Sequence, residues 1–201
     1  MLLFLSACGS RDERRPGPPP PTTREFQRCT ADLLAQGVRF RALPDQQFGG
    51  GCSAAGAVQL LDIGTPVNNL GAMRCGLAGK FASWVRFGAV PAARQILGSE
   101  IARIDSFGSY ACRNVVGAGG PARLSGHGLA NAVDIGGFVL ADGRRINVLG
   151  GWTSPDPAVQ AFLRTVRKSA CRRFGTVLSP DYNAAHANHL HLEDDEASFC
   201  R

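Results

Sequence analysis

Apolar residues recur along the chain at spacings that separate helices from strands. The clearest helical pattern lies in residues 75–87, where apolar side chains at positions i, i+4, i+7 and i+8 share one helix face. These side chains are Leu77, Phe81, Trp84 and Val85. We predict a helix over 75–87 with its aromatic residues in the core, a break or a restart at Pro91, and a helical continuation over residues 92–97.

The same patterns predict two more helices and a series of strands. Residues 27–36 are expected to form a helix that ends at Gly37 and buries Leu33 and Leu34, and residues 157–174 form another helix. Strand candidates lie at residues 38–43, 57–63, 101–107, 131–140, 145–149, 176–178 and 188–193, with a hairpin turn at 141–143. This mixture of elements favours an α+β fold, with helices packed on an antiparallel sheet.

The first residues indicate export. Leu5-Ser6-Ala7-Cys8 follows a short apolar run and has the pattern of a lipobox, in which the cysteine is acylated. We interpret residues 1–8 as this lipoprotein signal and predict that Cys8 carries the lipid. The residue directly after Cys8 is not aspartate. This favours sorting to the outer membrane, facing the periplasm, in a Gram-negative host. The alternative is a frayed apolar terminus of a cytoplasmic protein.

A proline-rich segment separates this signal from the rest of the chain. Residues 9–25 contain Pro16 and a run of prolines at 18–21, which favour an extended linker without a core of its own. We therefore expect one folded domain over residues 26–201. The formal net charge of +6 suits an anionic surface such as cell wall or phospholipid. No zinc-finger spacing, RNP-like strand or dense basic helix is present, so we expect no nucleic-acid partner.

The cysteines also favour an oxidising compartment. The chain has seven cysteines, and six remain if Cys8 carries lipid. An even number of widely spaced cysteines without a CxxC motif indicates three disulfides. Since six cysteines allow about 15 pairings, spacing alone does not select one. Our predicted pairing is Cys29–Cys52, Cys75–Cys112 and Cys171–Cys200.

All four histidines fall in two short motifs. In the C-terminal motif, alternation along a strand places His189, His191 and Glu193 on one face. In the other motif, His127 and Asp134 are separated by small residues that allow a close backbone approach. His127, Asp134 and His191 together form a candidate metal site with three ligands and one open position, as in catalytic zinc sites. The nitrogen and oxygen donors favour Zn²⁺, although copper or nickel could use them. A histidine pair on a strand is otherwise structural or exposed.

These motifs resemble known families. Ser125, His127, Ala132 and Asp134, followed by His189-x-His191, resemble the signature of LAS-type zinc peptidases. This group includes D-alanyl-D-alanine metallopeptidases, lysostaphin-type endopeptidases and the hedgehog signalling domain. More narrowly, most of residues 28–201 resemble the bacterial extensin-like C-terminal family. That resemblance rests on residues 107–114 (FGSYACRN), 130–132 (ANA) and 183–186 (NAAH).

The resemblance implies a LAS/hedgehog-like fold and a role for each site residue. His127, Asp134 and His191 would ligate zinc, His189 would act beside them as base or stabiliser, and Arg113 would bind a substrate carboxylate. The sequence departs from the carboxypeptidase branch at Asn188, where that branch has a glutamate base, and at Ala130, where glycine is common. His-x-x-His-x-His instead resembles the penicillin-insensitive murein endopeptidase branch.

These departures leave the catalytic base open between His186 and His189, with Glu193 as a further candidate. We expect a zinc-dependent hydrolase of peptidoglycan peptides, an endopeptidase or carboxypeptidase, attached to the cell envelope by its lipid. The alternative is a non-catalytic module in which zinc stabilises a wall-binding or partner-binding surface. Hydrolysis of another amide is a third possibility. No motif of the sequence sets an oligomeric state.

Overall fold

The computed structural model describes residues 19–115 and 123–201. The predicted lipobox with Cys8, most of the proline-rich linker and part of the glycine-rich loop therefore lie outside the described residues. Within the described ranges the fold is α+β, as predicted. Helices pack against two separate sheets, whereas the sequence pattern led us to expect one.

The first helix, α1 (Thr23–Ala35), begins four residues before the predicted start. The reason is a capping box, in which the Thr22 hydroxyl accepts from the Glu25 amide and the Glu25 carboxylate accepts from the Thr22 amide. Leu33 is buried, but Leu34 is 65% exposed, so the prediction that both face the core is wrong for Leu34. Adjacent helical positions are about 100° apart, and only one of the two meets the core.

The smaller sheet contains three antiparallel strands in the order β1-β2-β3. They are β1 (Arg39–Ala42), β2 (Ala57–Asp62) and β3 (Met73–Arg74). The first two match predicted strands, whereas β3 has two residues and is too short for its periodicity to show. Its last residue, Arg74, occupies the N-cap position of the next helix, so the sheet leads directly into the helical layer.

The central helix does not break at Pro91. It starts as α2 (Cys75–Trp84), passes through a π-helical turn at Val85–Ala89, continues as α3 (Val90–Ala92) and ends in a second π-helical turn, Ala93–Leu97. A π-helical turn pairs amides with carbonyls five residues back, as in the Val90 to Val85 bond. The wider turn before Pro91 lets the helix continue without the hydrogen bond that proline cannot donate. Among the described residues, no helix is long and apolar enough to cross a membrane.

The larger sheet has six strands, with β4-β5-β8-β7-β9 in order and β6 paired to β5. They are β4 (Ile101–Gly108), β5 (Ala132–Leu140), β6 (Arg145–Asn147), β7 (Thr176–Leu178), β8 (Leu190–Glu193) and β9 (Phe199–Cys200). The β5–β6 pair confirms the predicted hairpin. The pairing of β7 with β9 is parallel, so this sheet is mixed rather than purely antiparallel.

The main apolar core joins the helices to both sheets, and its largest aromatic side chains lie between the larger sheet and the helices. Two further helices, α4 (Val148–Gly151) and α5 (Pro157–Cys171), follow β6. The rings of Phe81, Trp84, Phe138 and Phe162 are almost fully buried at this junction, as predicted for the aromatic residues of the central helix. The Trp84 indole donates to the Val166 carbonyl at 3.1 Å, which satisfies its polar atom. β5 is therefore packed into this core along almost its whole length.

Three disulfides are present in the described residues, and two of the predicted pairings are wrong. The bonds are Cys29–Cys75, Cys52–Cys112 and Cys171–Cys200. Cys29 lies in α1, which packs on α2, and Cys75 is the first residue of α2, with the two Cα atoms 6.1 Å apart. Helix packing between distant segments decides this pairing, which linear spacing does not encode. Only the Cys171–Cys200 prediction is confirmed.

Candidate metal centre

Strand register brings Asp134 and His191 together. In the antiparallel β5–β8 pair, Asp134 is directly opposite His191. His127 comes from a short helical turn, Gly126–Leu129, that precedes β5. The Ser125 hydroxyl caps this turn by accepting from the His127 amide at 3.4 Å. The turn ends at Ala130 in the left-handed region, with φ 52°, which explains why glycine suits this position.

The three side chains form a compact buried group. Asp134 Oδ1 is 2.8 Å from His191 Nδ1, and Asp134 Oδ2 is 3.0 Å from His127 Nε2. The two imidazole nitrogens are 3.2 Å apart. One ligand atom from each residue lies within 4.8 Å of the others, and all three residues are buried, so the group could hold a metal ion. His127 faces the common centre with Nε2, whereas His191 faces it with Nδ1.

The outward ring nitrogens also have partners. His127 Nδ1 is 3.3 Å from the Ser109 carbonyl, and His191 Nε2 is 3.2 Å from the Glu193 carboxylate. Both partners can accept hydrogen bonds, so each imidazole can keep a proton on its outer nitrogen when its inner nitrogen serves as a ligand. No sequence signal indicates the Ser109 contact, because the acceptor is a backbone carbonyl placed by the fold.

Mutual contacts set the charges of the group. Burial alone would raise the pKa of Asp134, but hydrogen bonds with His127 and His191 outweigh it and hold that pKa far below its usual range. Burial likewise would lower the pKa of His191, yet hydrogen bonds to Asp134 and Glu193 raise it to about 9. The metal-free group therefore contains an ionised carboxylate with a protonated imidazole, and a cation would take the place of that proton.

The other two histidines lie at the edge of this group. His189 Nε2 is 3.5 Å from Asp134 Oδ1, and its Nδ1 is 2.8 Å from Asn188 Oδ1. His186 Nδ1 is 2.8 Å from Asn183 Oδ1, and its ring centroid is 5.1 Å from that of His189. The two amide oxygens accept from Nδ1, which leaves both Nε2 atoms unprotonated in the neutral rings.

Burial keeps these two imidazoles neutral. Burial and, to a smaller extent, the neighbouring His189 and His191 together lower the pKa of His186 to about 4. Burial is also the largest cause that lowers the pKa of His189, in opposition to the Asp134 charge. Neutral imidazoles can accept a proton at neutral pH, so both residues have the protonation state that a general base needs.

A cleft of about 700 Å³ opens over the group. Its lining includes Arg113, His186, His189, His191 and Glu193. The Arg113 guanidinium is 3.7 Å from Asp134 Oδ2 and is 42% exposed, so it reaches both the buried group and the solvent. The structure thus brings together every described residue that the sequence singled out for this site.

Aromatic contacts at the cleft extend beyond the sequence prediction. Phe107, 53% exposed, meets the edge of the His189 ring with centroids 6.0 Å apart. Gly136 on the neighbouring strand allows this placement, because a Cβ there would lie 2.5 Å from the Phe107 ring. Tyr182 packs beside His186 with centroids 5.6 Å apart. The pairing of β4 with β5 places Phe107 beside Gly136, which no local pattern of the sequence indicates.

A family model shows to which protein family the chain belongs. The family model of the extensin-like protein C-terminus matches residues 27–201, most of the chain. The chain belongs to this family. The match includes the metal group, both flanking histidines and Arg113, so the whole cleft lies within the extensin-like domain. Comparison with curated proteins and with solved structures found no match in either case.

Proposed function

We propose that this extensin-like domain is a zinc-dependent hydrolase of peptidoglycan peptides. One observation carries the proposal: a buried group of two histidines and an aspartate lies under a cleft edged by two neutral imidazoles and an arginine. A ligand set together with bases and an anion-binding residue is the constellation of a hydrolytic site. The resemblance to LAS-type peptidases supports the same conclusion and extends the proposal to a LAS/hedgehog-like fold.

The donor chemistry fits zinc. Two imidazole nitrogens and a carboxylate oxygen are a common ligand set for a catalytic zinc ion, with further positions open to water and substrate. The group is buried and its members already face one another, so little reorganisation is needed. When bound, zinc supplies a Lewis acid that activates water and polarises a scissile carbonyl.

The residues of the cleft then have separate tasks. His189 Nε2 is the base closest to the group, and Asn188 holds the ring so that this nitrogen faces Asp134. His186 lies next to it and can accept a proton and then donate it to the leaving amine. Arg113 offers a guanidinium to a peptide carboxylate, which would fix the substrate at the arginine side of the cleft.

The compartment is part of the proposal. Three disulfides in one domain are typical of proteins that fold outside the cytosol. We propose that the protein is a lipoprotein of the cell envelope, attached through Cys8 and facing the periplasm. Its substrate would then be within reach of a domain at the end of a proline-rich linker.

The experiment is metal analysis combined with digestion. The domain is expressed in the periplasm and its zinc content measured, and purified muropeptides are incubated with it and analysed by mass spectrometry. We expect one zinc per chain and new peptide fragments, both lost in His127→Ala. An exposed control, Asp142→Asn in the β5–β6 hairpin, should behave as wild type. A chain without zinc, or fragments that persist in His127→Ala, would refute the proposal.

One observation favours a second candidate, a wall-binding module stabilised by zinc. Asn188 stands where the carboxypeptidase branch has its glutamate base, and its amide holds His189 instead. The same experiment separates the two functions. One zinc per chain with retained binding to intact peptidoglycan, and no fragments from any muropeptide, would favour the binding module over the hydrolase.

A further inference from the structure

Glu193 occupies a distinctive place at the metal centre. It lies two positions after His191 in β8, so both side chains leave the same face of the strand. Its carboxylate Oε2 is 3.2 Å from His191 Nε2, on the side of the ring that faces away from Asp134. The Glu193 side chain is 23% exposed at the edge of the cleft. Its contact is therefore with a ligand rather than with the metal position itself.

The contact decides how His191 presents its two nitrogens. Nδ1 faces Asp134 and His127 at 2.8 and 3.2 Å, and only a deprotonated Nδ1 can ligate a cation. A carboxylate at Nε2 holds the remaining proton there, which fixes the tautomer and the plane of the ring. Without that acceptor the imidazole can place its proton on Nδ1 or turn away from the group.

Gly126 provides the space for this carboxylate. A Cβ at residue 126 would lie 2.4 Å from Glu193 Oε1 and 2.7 Å from Oε2. The φ angle of Gly126 is not positive, so its backbone conformation admits alanine. It directly precedes His127, and the turn that carries one ligand therefore also seats the residue that orients another.

We infer that Glu193 is a positioning residue, which holds His191 in its metal-ligating orientation, and that Gly126 is required to seat its carboxylate. The inference rests on the proposed function only in that the group binds a metal. It assigns Glu193 a role different from the general base considered above, because a carboxylate engaged with His191 acts through that ligand. A base would instead act on water or substrate in the cleft.

The test is a double-mutant cycle measured by metal affinity. Glu193→Ala, Gly126→Ala and the double variant are titrated with Zn²⁺ against a chromophoric chelator, and the absorption spectrum of bound Co²⁺ reports ligand geometry. We expect Glu193→Ala to weaken Zn²⁺ binding about 10-fold to 100-fold, the usual effect of losing an outer partner of a ligand histidine. Glu193→Gln, which keeps an acceptor without the charge, should lose less Zn²⁺ affinity than Glu193→Ala.

The double-mutant cycle shows whether Gly126 affects metal affinity through Glu193. Gly126→Ala should weaken binding to a similar degree, since the new methyl group displaces the carboxylate, but should add little once Glu193 is alanine. Glu196→Gln is the matched control, because it removes one negative charge from an exposed residue nearby and should leave affinity and spectrum unchanged. Unfolding of each metal-free variant is followed in parallel to confirm that the chain is folded.

Distinct outcomes would overturn the inference. Wild-type affinity and cobalt spectrum in Glu193→Ala would show that Glu193 does not position His191. A fall in kcat with unchanged affinity would assign it to proton transfer instead. A full Gly126→Ala effect in the Glu193→Ala background would place the defect in His127 and not in the seat of Glu193. A wild-type chain that binds no metal would refute the proposed function itself, and the inference with it.

Discussion

Asp134 and His191 are opposite one another in the β5–β8 ladder, and Asp134 Oδ1 is 2.8 Å from His191 Nδ1. A residue pair on adjacent strands has little freedom to separate, because the backbone hydrogen bonds on both sides fix its distance. The carboxylate therefore holds a protonated imidazole in the metal-free protein, and the same two atoms face the position that a cation would take. Metal binding and proton release are coupled at this pair.

The coupling predicts how zinc affinity depends on pH. Since the pKa of His191 is raised to about 9 in the metal-free protein, zinc must displace one proton below that pH. Affinity should rise about tenfold per pH unit up to about pH 9 and then level off. Titration calorimetry in buffers of different ionisation enthalpy would count the proton released. Affinity that does not change between about pH 6 and about pH 8 would contradict the assignment.

The same shift predicts the stability of the metal-free domain. His191 has an ordinary pKa of 6.5, so its raised folded-state pKa contributes stability that is complete below about 6.5. That contribution should be lost as pH rises from about 6.5 through about 9. Urea unfolding of the metal-free protein across this range is the measurement. His191→Gln should flatten the dependence, and an equally steep loss in that variant would assign it to other groups.

Asn188 is predicted to act through His189. Its amide oxygen, 2.8 Å from His189 Nδ1, fixes the tautomer that exposes Nε2 towards Asp134. For an active hydrolase, Asn188→Ala should lower kcat by about 10-fold or more while zinc affinity stays unchanged, because general-base contributions are commonly 10²-fold to 10⁴-fold. Asn183→Ala provides the parallel test for His186. Unaltered kcat in both variants would show that the two asparagines do not position these histidines for proton transfer.

The Cys52–Cys112 disulfide is predicted to support substrate binding. Cys112 directly precedes Arg113, and Cys52 lies against Gly128 in the turn of His127. Replacing both cysteines by alanine should destabilise the domain by about 4 kcal/mol on loop-entropy grounds. It should also raise KM, since Arg113 loses its anchor. The Cys29→Ala/Cys75→Ala pair is the control, because that bond lies away from the cleft and should affect stability but not KM.

Cys8 is predicted to attach the protein to a membrane. With Cys8→Ser, the expressed chain should move from the membrane fraction to the soluble periplasmic fraction, because acyl chains supply the anchoring energy. Metabolic labelling with a fatty-acid analogue should mark the wild-type chain alone. Unchanged membrane retention of the serine variant would mean that another part of the protein provides the attachment.

Most of the longer helices and strands could be predicted from the sequence, because their hydrophobic periodicity extends over enough residues to detect. The central helix, β4, β5 and α5 each extend over eight residues or more, and β5 is buried along almost its whole length. The predicted bounds of helices were wrong where a single local contact decides where a helix begins or ends. Thr22 extends α1 through a capping box, and the π-helical turn before Pro91 removes an expected break. Such details depend on neighbouring backbone geometry more than on hydrophobic spacing.

The amino-acid sequence by itself determined the candidate ligands, because His127, Asp134, His189 and His191 stand in two motifs whose residue types match a metal site. Only the tertiary structure decided that these motifs meet. The β5–β8 register places Asp134 against His191, and helix packing pairs Cys29 with Cys75. The seat that Gly126 provides for Glu193 likewise depends on two segments 67 positions apart in the chain. Contacts between distant segments follow from packing of the whole core, which no local pattern encodes.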